Sequence, residues 1–538
     1  MNIPFSFDCP YPSQRMPVLA QNIVSTSQPL ATEAGLSMLR QGGNAIDAAL
    51  AAAITLTVVE PTSNGIGSDA FAIIWDGRQL RGFNASGRSP AGWTTDYFDR
   101  KHPTLKGTPE RGWDAVTVPG CVSLWQSLSS ALGVLPFERL FEPAIRYARD
   151  GHLVSPITAL SWARQVGMLQ GPDFAEFQRI FAPGGRAPAA GEVWKSPDHA
   201  ATLAEIAASK GESFYRGPLA ARIAGESARV GAAMTAADLA AHRCDAVDTI
   251  HIDYRSVRLH EIPPNGQGLA ALLCLGILEN FDVANIRVDS ADWVHLHLEA
   301  MKLAFADAYR YIADPAHMDI EVAALLDKSY LKSRAALIAM DRACEPVHGM
   351  PTKGGTVYLS TADANGMMVS LIQSNYMGFG SGIVVPGSGI ALQNRGHGFN
   401  RVAGHPNCVA PNKRPFQTII PGFLTDLANQ PLMSFGVMGG HMQPQGHVQM
   451  VTRMIDHGQN PQAASDAARW IVNADGTIGL EPALQTAVGA ELARRGHRIA
   501  VPEAVNFAFG GAQLIWRLPN GGYCAGSDSR KDGGAAGY

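Results

Sequence analysis

Charge is scarce in this chain. Asp, Glu, Lys and Arg make up 17% of its 538 residues, and 43 basic side chains against 47 acidic ones leave a formal net charge of −4. With no basic excess there is no electrostatic footprint for nucleic acid or an anionic membrane, so neither is expected as a partner. Paired cysteines are also missing. The seven (Cys9, Cys121, Cys244, Cys274, Cys344, Cys408, Cys524) stand singly, with no Cys-x-x-Cys spacing and an odd count, which argues for reduced thiols and a cytoplasmic location. The stretch 1–21 has no long apolar run: Asp8, Pro4, Pro10, Pro12 and Pro17 interrupt it, so neither a signal peptide nor a membrane-spanning helix is expected there. Metal-ligand spacing is lacking too. His441 with His447, and His397 with His405, do not fit a helical ligand pair, and no Cys or carboxylate cluster accompanies them, so no metal and no other cofactor is expected.

What is present is apolar: 46% of the residues are hydrophobic, enough for a large core and too many for a disordered chain. Length alone suggests about three or four domains at ~150 residues each. Helices are predicted over 29–40, ending at Gly42-Gly43, and from Asn44, where Ile46, Leu50, Ile54 and Val58 recur at fourfold spacing among alanines. Further helices are predicted over 122–132, 269–278 and 291–312. The segment 313–355, punctuated by Pro315, Pro346 and Pro351, reads as the place where the chain is nicked.

The stretch that organises the chain is Gly354-Gly355-Thr356-Val357-Tyr358-Leu359-Ser360. Residues 357–362 and 367–374 read as strands, and Asp363-Ala364-Asn365-Gly366 between them is hairpin chemistry. Thr356 then stands at the first position of a strand behind two glycines. From there its hydroxyl can attack the Gly355 carbonyl, shift the acyl group from nitrogen to oxygen and, on hydrolysis, free a new N-terminus. The product would carry a hydroxyl nucleophile and an α-amine that titrates near pH ~8, the pairing that activates a weak alcohol without a histidine. An isolated Gly-Gly-Thr is, on its own, more often a loop running into an ordinary strand.

Other glycine turns add candidates. The strand-like 434–438 ends in Gly439-Gly440, whose backbone N–H groups can stabilise an oxyanion, with a helix predicted to begin near Gln445. Arg88, in Gly87-Arg88-Ser89-Pro90, has the fork that clamps a carboxylate, although a solvated loop arginine is the commoner role. The glycines of 60–69 are not a phosphate-binding loop, because no Lys follows them.

Taken in order, these stretches resemble the γ-glutamyltranspeptidase family of N-terminal-nucleophile hydrolases nearly end to end. The resemblance is carried by Gln28-Pro29-Leu30-Ala31, Gly42 to Ala49, Val59-Glu60-Pro61, Val118-Pro119-Gly120, Glu299 to Asp307 and Asp314-Pro315. It continues through Thr356 to Gly366, Gly380-Ser381-Gly382, Pro411 to Pro415, Gly439-Gly440 and Gly526 to Gly533. It implies an α+β fold, a four-layer αββα sandwich built from one precursor cut before Thr356. The large chain, 1–355, and the small catalytic chain, 356–538, would stay associated, with a dimer of such heterodimers as a further expectation. Thr356 would be the nucleophile, Ser374 the hydroxyl that supports it, and Gly439 and Gly440 the oxyanion hole.

The pocket departs from the family's pattern. Where members that bind γ-glutamate carry an aspartate for the substrate's α-amino group, this chain has Gly398, and their neighbouring glutamine is Arg395. Their paired serines become Gln417-Thr418, an asparagine becomes Tyr376, and Arg88 lies two residues from the family's carboxylate-binding arginine. With Arg88, Arg395 and Arg414 as cationic candidates, the expected activity is hydrolysis of the amide bond of a small carboxylate-bearing substrate, of the glutathione-hydrolase-like, γ-glutamyl type. An amidohydrolase acting on a substrate without an α-amino group, such as oxamate or a glutaryl amide, is the alternative. An uncleaved, inactive binding protein and a metal hydrolase are the remaining ones.

Overall fold

The computed structural model describes residues 14–345, 355–501 and 507–538. Cys9, Gly354 and the prolines Pro346 and Pro351 lie outside the described residues.

Two antiparallel seven-stranded sheets form the middle of the molecule. The first runs in the order Gly534–Gly537, Ile23–Thr26, Gly355–Ala362, Met368–Tyr376, Asp69–Trp75, Leu80–Asn84, Asp245–Val247. The second runs Val18–Ala20, Tyr523–Ser527, Gly511–Arg517, Pro431–Met438, Gly422–Asp426, Val257–Glu261, Ile250–Tyr254. Both draw strands from either side of the Gly355–Thr356 bond, so the two segments that flank it share one fold rather than the three or four domains that length alone suggests.

Strand periodicity sorts the residues into layers. Tyr358 and Ile372 turn inward to meet Phe423, Met438 and Ile515 of the facing sheet, while Val357, Leu359 and Leu371 turn outward against the helices Ala45–Val59 and Cys121–Leu132. On the far side, Phe435 and Val437 pack against Gly268–Leu278, Ala291–Tyr311 and Met442–Ile455. The result is the αββα sandwich. The helix Ala45–Val59 is buried along its whole length, as a helix that is apolar all round must be. Its start is set by a reciprocal cap, Asn44 accepting from the backbone of Asp47 while Asp47 accepts from the backbone of Asn44.

Within the segment 313–355, helices Val322–Leu325 and Lys328–Ala335 form because Leu325, Leu331 and Ala335 bury against the second helical layer. What remains of the expected nicking stretch, 346–354, lies outside the described residues. The helix expected near Gln445 begins at Met442. Pro444 falls in its first turn, where a missing N–H has no helical partner to lose.

Candidate active site

Thr356 is 1% exposed and sits where the hairpin ladder slips: Gly355 faces Tyr376 and Val357 faces Gln373, so Thr356 stands opposite an irregularity that re-aims its side chain. Its hydroxyl donates to Ser374 Oγ at 3.2 Å and accepts from Gln443 Nε2 at 3.2 Å. Ser374 Oγ also accepts from the Tyr376 N–H at 2.7 Å. Gln443 is itself oriented, its Oε1 accepting from Ile420 N at 2.9 Å. Among the described residues the nucleophile candidate is thus held by neutral groups. Gln443 escapes sequence reading because it lies 87 residues from Thr356; its sequence signal is its place in the first helical turn after Gly439-Gly440.

Those glycines take φ of 129° and 61°, backbone shapes that L side chains rarely adopt. A Cβ on Gly439 would lie 3.0 Å from Gly510 Cα. The Gly440 carbonyl is committed to Gln267 Nε2 at 2.8 Å and that of Gly439 to Met442 N at 3.1 Å, which turns both carbonyls toward the helix and its neighbours. The positive end of the helix Met442–Ile455 therefore abuts this turn.

A cavity of about 590 Å³ opens beside Thr356, with Gly439, His441, Met377, Arg111 and Lys531 among the residues that line it. Arg111 is pinned through Nη1 to the carbonyls of Gly378 (2.9 Å) and Gly380. Lys531 lies 3.9 Å from Glu60, whose carboxyl burial pushes up to about 7 against the pull of that lysine. Neither Arg111 nor Lys531 was expected from the sequence, because nothing local distinguishes a cavity-facing cation from a solvated one.

The other pocket candidates are brought together, but in a second cluster. Arg395 is 1% exposed; its guanidinium lies 4.8 Å from the Tyr376 ring centre and its Nη1 donates to Thr418 Oγ1 at 2.6 Å. Among the described residues its Nε and Nη2 have no hydrogen-bond partner, and burial holds its pKa down to about 10. Gln417 Nε2 donates to Asp69 at 2.9 Å, and burial pushes the Asp69 carboxyl up to about 7 in spite of Arg395 and Arg414. Tyr376, Arg395, Gln417 and Thr418 do not line the Thr356 cavity. Gly398 has no room for an aspartate: a Cβ there would meet the Phe416 carbonyl at 2.5 Å.

Arg88 is placed elsewhere. Its side chain is 45% exposed, bridges to Asp314 at 2.7 Å and to the Asn412 carbonyl at 3.1 Å, and borders a separate hollow of about 160 Å³. Arg414 borders the same hollow and pairs with Asp245 at 2.8 Å. Of the histidines weighed for metal, His441 meets the Tyr309 hydroxyl at 2.8 Å and His447 meets Glu261 at 2.6 Å. The group of His and Glu that does converge, His295, Glu299 and His497, surrounds an ammonium instead: Lys302 Nζ lies 2.8 Å from Glu299 and 3.2 Å from His497.

A family model described as Gamma-glutamyltranspeptidase matches residues 31–538. The chain is 35% identical over 517 residues to the glutathione hydrolase-like YwrD proenzyme of Bacillus subtilis, spanning 94% of this chain and 97% of that protein. It is 36% identical over 524 residues to the oxamate amidohydrolase proenzyme of Klebsiella pneumoniae, spanning 95% and 97%. Among solved structures, the cephalosporin acylase from Bacillus halodurans superposes with a TM-score of 0.94 at 48% identity, covering 100% of this chain and 99% of that one.

Proposed function

Because the chain belongs to the gamma-glutamyltranspeptidase family of enzymes, we propose that it is a threonine amide hydrolase that matures by cutting its own Gly355–Thr356 bond. The observation that carries this reading is the hydroxyl of Thr356, buried at the start of a hairpin strand, bonded to Ser374 and Gln443 and bordering a cavity shared with Gly439. In maturation, Thr356 Oγ1 attacks the Gly355 carbonyl carbon, the acyl group moves from N to O, and water cleaves the ester. This leaves a carboxylate on Gly355 and an α-amine on Thr356. In turnover, that amine takes the hydroxyl proton as Oγ1 attacks the substrate amide; the leaving amine departs protonated, and water hydrolyses the acyl ester. Backbone N–H groups at Gly439 and Gly440 stabilise the oxyanion, and Ser374 and Gln443 aim the hydroxyl.

The substrate carries a carboxylate on its acyl side and no α-amino group. Gly398 cannot give way to an ammonium-binding aspartate, and Asp69, the carboxylate beside Arg395, is already engaged by Gln417. Oxamate is small for a cavity of about 590 Å³, a volume in the range of drug-sized ligand sites, so a glutaryl-type amide with a substantial leaving group fits better. In this reading Tyr376, Arg395, Gln417 and Thr418 support the pocket from behind, and Arg88 has no part in it. The products 1–355 and 356–538 stay together because both contribute strands to each of the two sheets, and two such pairs associate. A cytoplasmic location completes the proposal, supported by six unpaired cysteines among the described residues.

The test is N-terminal sequencing of the smaller fragment from purified protein, combined with turnover of glutaryl para-nitroanilide. The fragment should begin at Thr356. Protein that stays one chain while still hydrolysing the anilide would overturn the proposal.

A further inference from the structure

The Thr356 cavity holds cations that the reaction just proposed leaves unused. Arg111, Arg164 and Lys531 line it, against the carboxylates of Glu110 and Asp475. Lys531 already has buried Glu60 beside it, and Arg164 stands exposed at the rim. Arg111 differs from both. Its side chain is 20% exposed, so it is largely out of water yet reachable from the cavity. Its Nη1 is spent on the carbonyls of Gly378 and Gly380.

Those two carbonyls belong to the loop that leaves the strand Met368–Tyr376, the strand that carries Ser374. The guanidinium is therefore tied, through a few residues of backbone, to the same hairpin that aims the nucleophile. Its nearest counter-charge is loose: Glu110 Oε1 lies 3.5 Å from Nε, and Glu110 is 52% exposed. Burial lowers the pKa of Arg111 and only Glu110 opposes that shift, so the cation is poorly compensated where it stands. Arg395 cannot fill the same role from its present position, because Tyr376 covers its guanidinium and it does not line the cavity.

We propose that Arg111 is the receptor for the acyl-side carboxylate of the substrate, with its Nε–Nη2 edge taking the anion in place of the exposed Glu110 while Gly378 and Gly380 hold Nη1 in register with Thr356. An arginine whose fork is already oriented loses little freedom on binding and matches a carboxylate's two oxygens. The proposal rests on the carboxylate-bearing substrate argued above and adds which residue reads it.

The experiment compares kcat/KM for glutaryl para-nitroanilide with that for its neutral carbamoyl isostere, in the wild-type protein and in Arg111→Gln, Arg111→Lys and Arg88→Ala. The wild type should favour the charged substrate. Arg111→Gln should cut that preference by about tenfold or more, the usual scale of a hydrogen bond to a charged group. Arg111→Lys should keep part of it, and Arg88→Ala all of it. Arg111→Gln lowering both substrates equally would mean that the arginine only braces Gly378 and Gly380, and would overturn the proposal. A wild type with no preference would instead sink the carboxylate-bearing substrate itself. Should Arg111→Gln fail to fold, competitive inhibition of the wild type and of Arg111→Lys by glutarate decides: an unchanged inhibition constant in the lysine variant would overturn the proposal.

Discussion

Two buried polar regions join the segments before and after Gly355–Thr356, and they differ in whether they close on themselves. Around Lys302 every bond is made. Its ammonium binds Glu299 and His497, His497 meets His295 at 2.8 Å, Glu299 accepts from Cys344 N at 2.7 Å, and His295 reaches the Ala339 carbonyl at 2.9 Å. None of these four side chains has a buried nitrogen or oxygen without a partner. Around Thr356 the bonding is open: the hydroxyl touches two neutral groups and faces a cavity that His441 also lines, and among the described residues His441 Nε2 is buried without a hydrogen-bond partner, as are Arg395 Nε and Nη2 in the second cluster. A buried polar group without a partner is costly, so a closed network reads as architecture and an open one as a place kept for chemistry.

The sharpest break of this comparison is at the open region. Thr356→Ala should remain a single band on a denaturing gel and lose turnover by on the order of 10⁴-fold or more, as removal of a nucleophile does. Thr356→Ser should retain part of both reactions. Residual turnover in the alanine variant near the wild-type rate would move the nucleophile elsewhere.

Breaking the closed region should do the reverse. Lys302→Met strands the Glu299 carboxylate, which is fully buried, and should cost about 3–5 kcal/mol in urea unfolding. The folded fraction should keep its kcat. A fall in kcat with stability unchanged would mean that the network serves the chemistry rather than the fold.

Acid separates the regions more gently. Burial, with the charge of Lys302 next in weight, holds the His497 pKa down to about 3; His297, His260 and His242 are likewise held to about 3, and His152, His199 and His441 to about 4. A histidine depressed in the fold binds its proton more weakly there than in the unfolded chain, where it titrates near ~6.5. Stability from this source is therefore complete above about pH 6.5 and is lost as pH falls toward 3–4. His497→Gln should make part of that loss disappear, read as melting temperature against pH; an unchanged acid slope would place the sensitivity in the other histidines.

The smallest effect is expected at Arg88→Ala. The arginine is half exposed and outside the cavity, so stability should change by about 1 kcal/mol or less and kcat/KM not at all. A clear loss of kcat/KM would return Arg88 to the substrate site.

Much of the site's chemistry was legible in the chain because it is local. The Gly-Gly-Thr junction, the Asp-Ala-Asn-Gly turn and the Gly439-Gly440 pair each announce a backbone shape within a few residues; Ser374 was implied by the family resemblance, and the structure places Thr356 beside Ser374 and on one cavity with Gly439. Arg88 was misplaced because a carboxylate clamp and a surface ion pair use the same residue in the same kind of loop. Gln443, Arg111 and Lys531 were missed since each approaches Thr356 from a distant part of the chain.

The same division runs through the whole protein. Alternation of inward and outward side chains, helix caps such as Asn44 with Asp47, and a glycine-entered strand are properties of neighbouring residues, so the sequence by itself determined where helices and strands begin and which residue stands at the strand's start, while the four layers were implied by the family resemblance. Which cation faces the cavity, which lies sealed beneath Tyr376, and which ammonium satisfies Glu299 depend on contacts between residues far apart. Those contacts are set by how two sheets and two helical layers pack, and only the tertiary structure decided them.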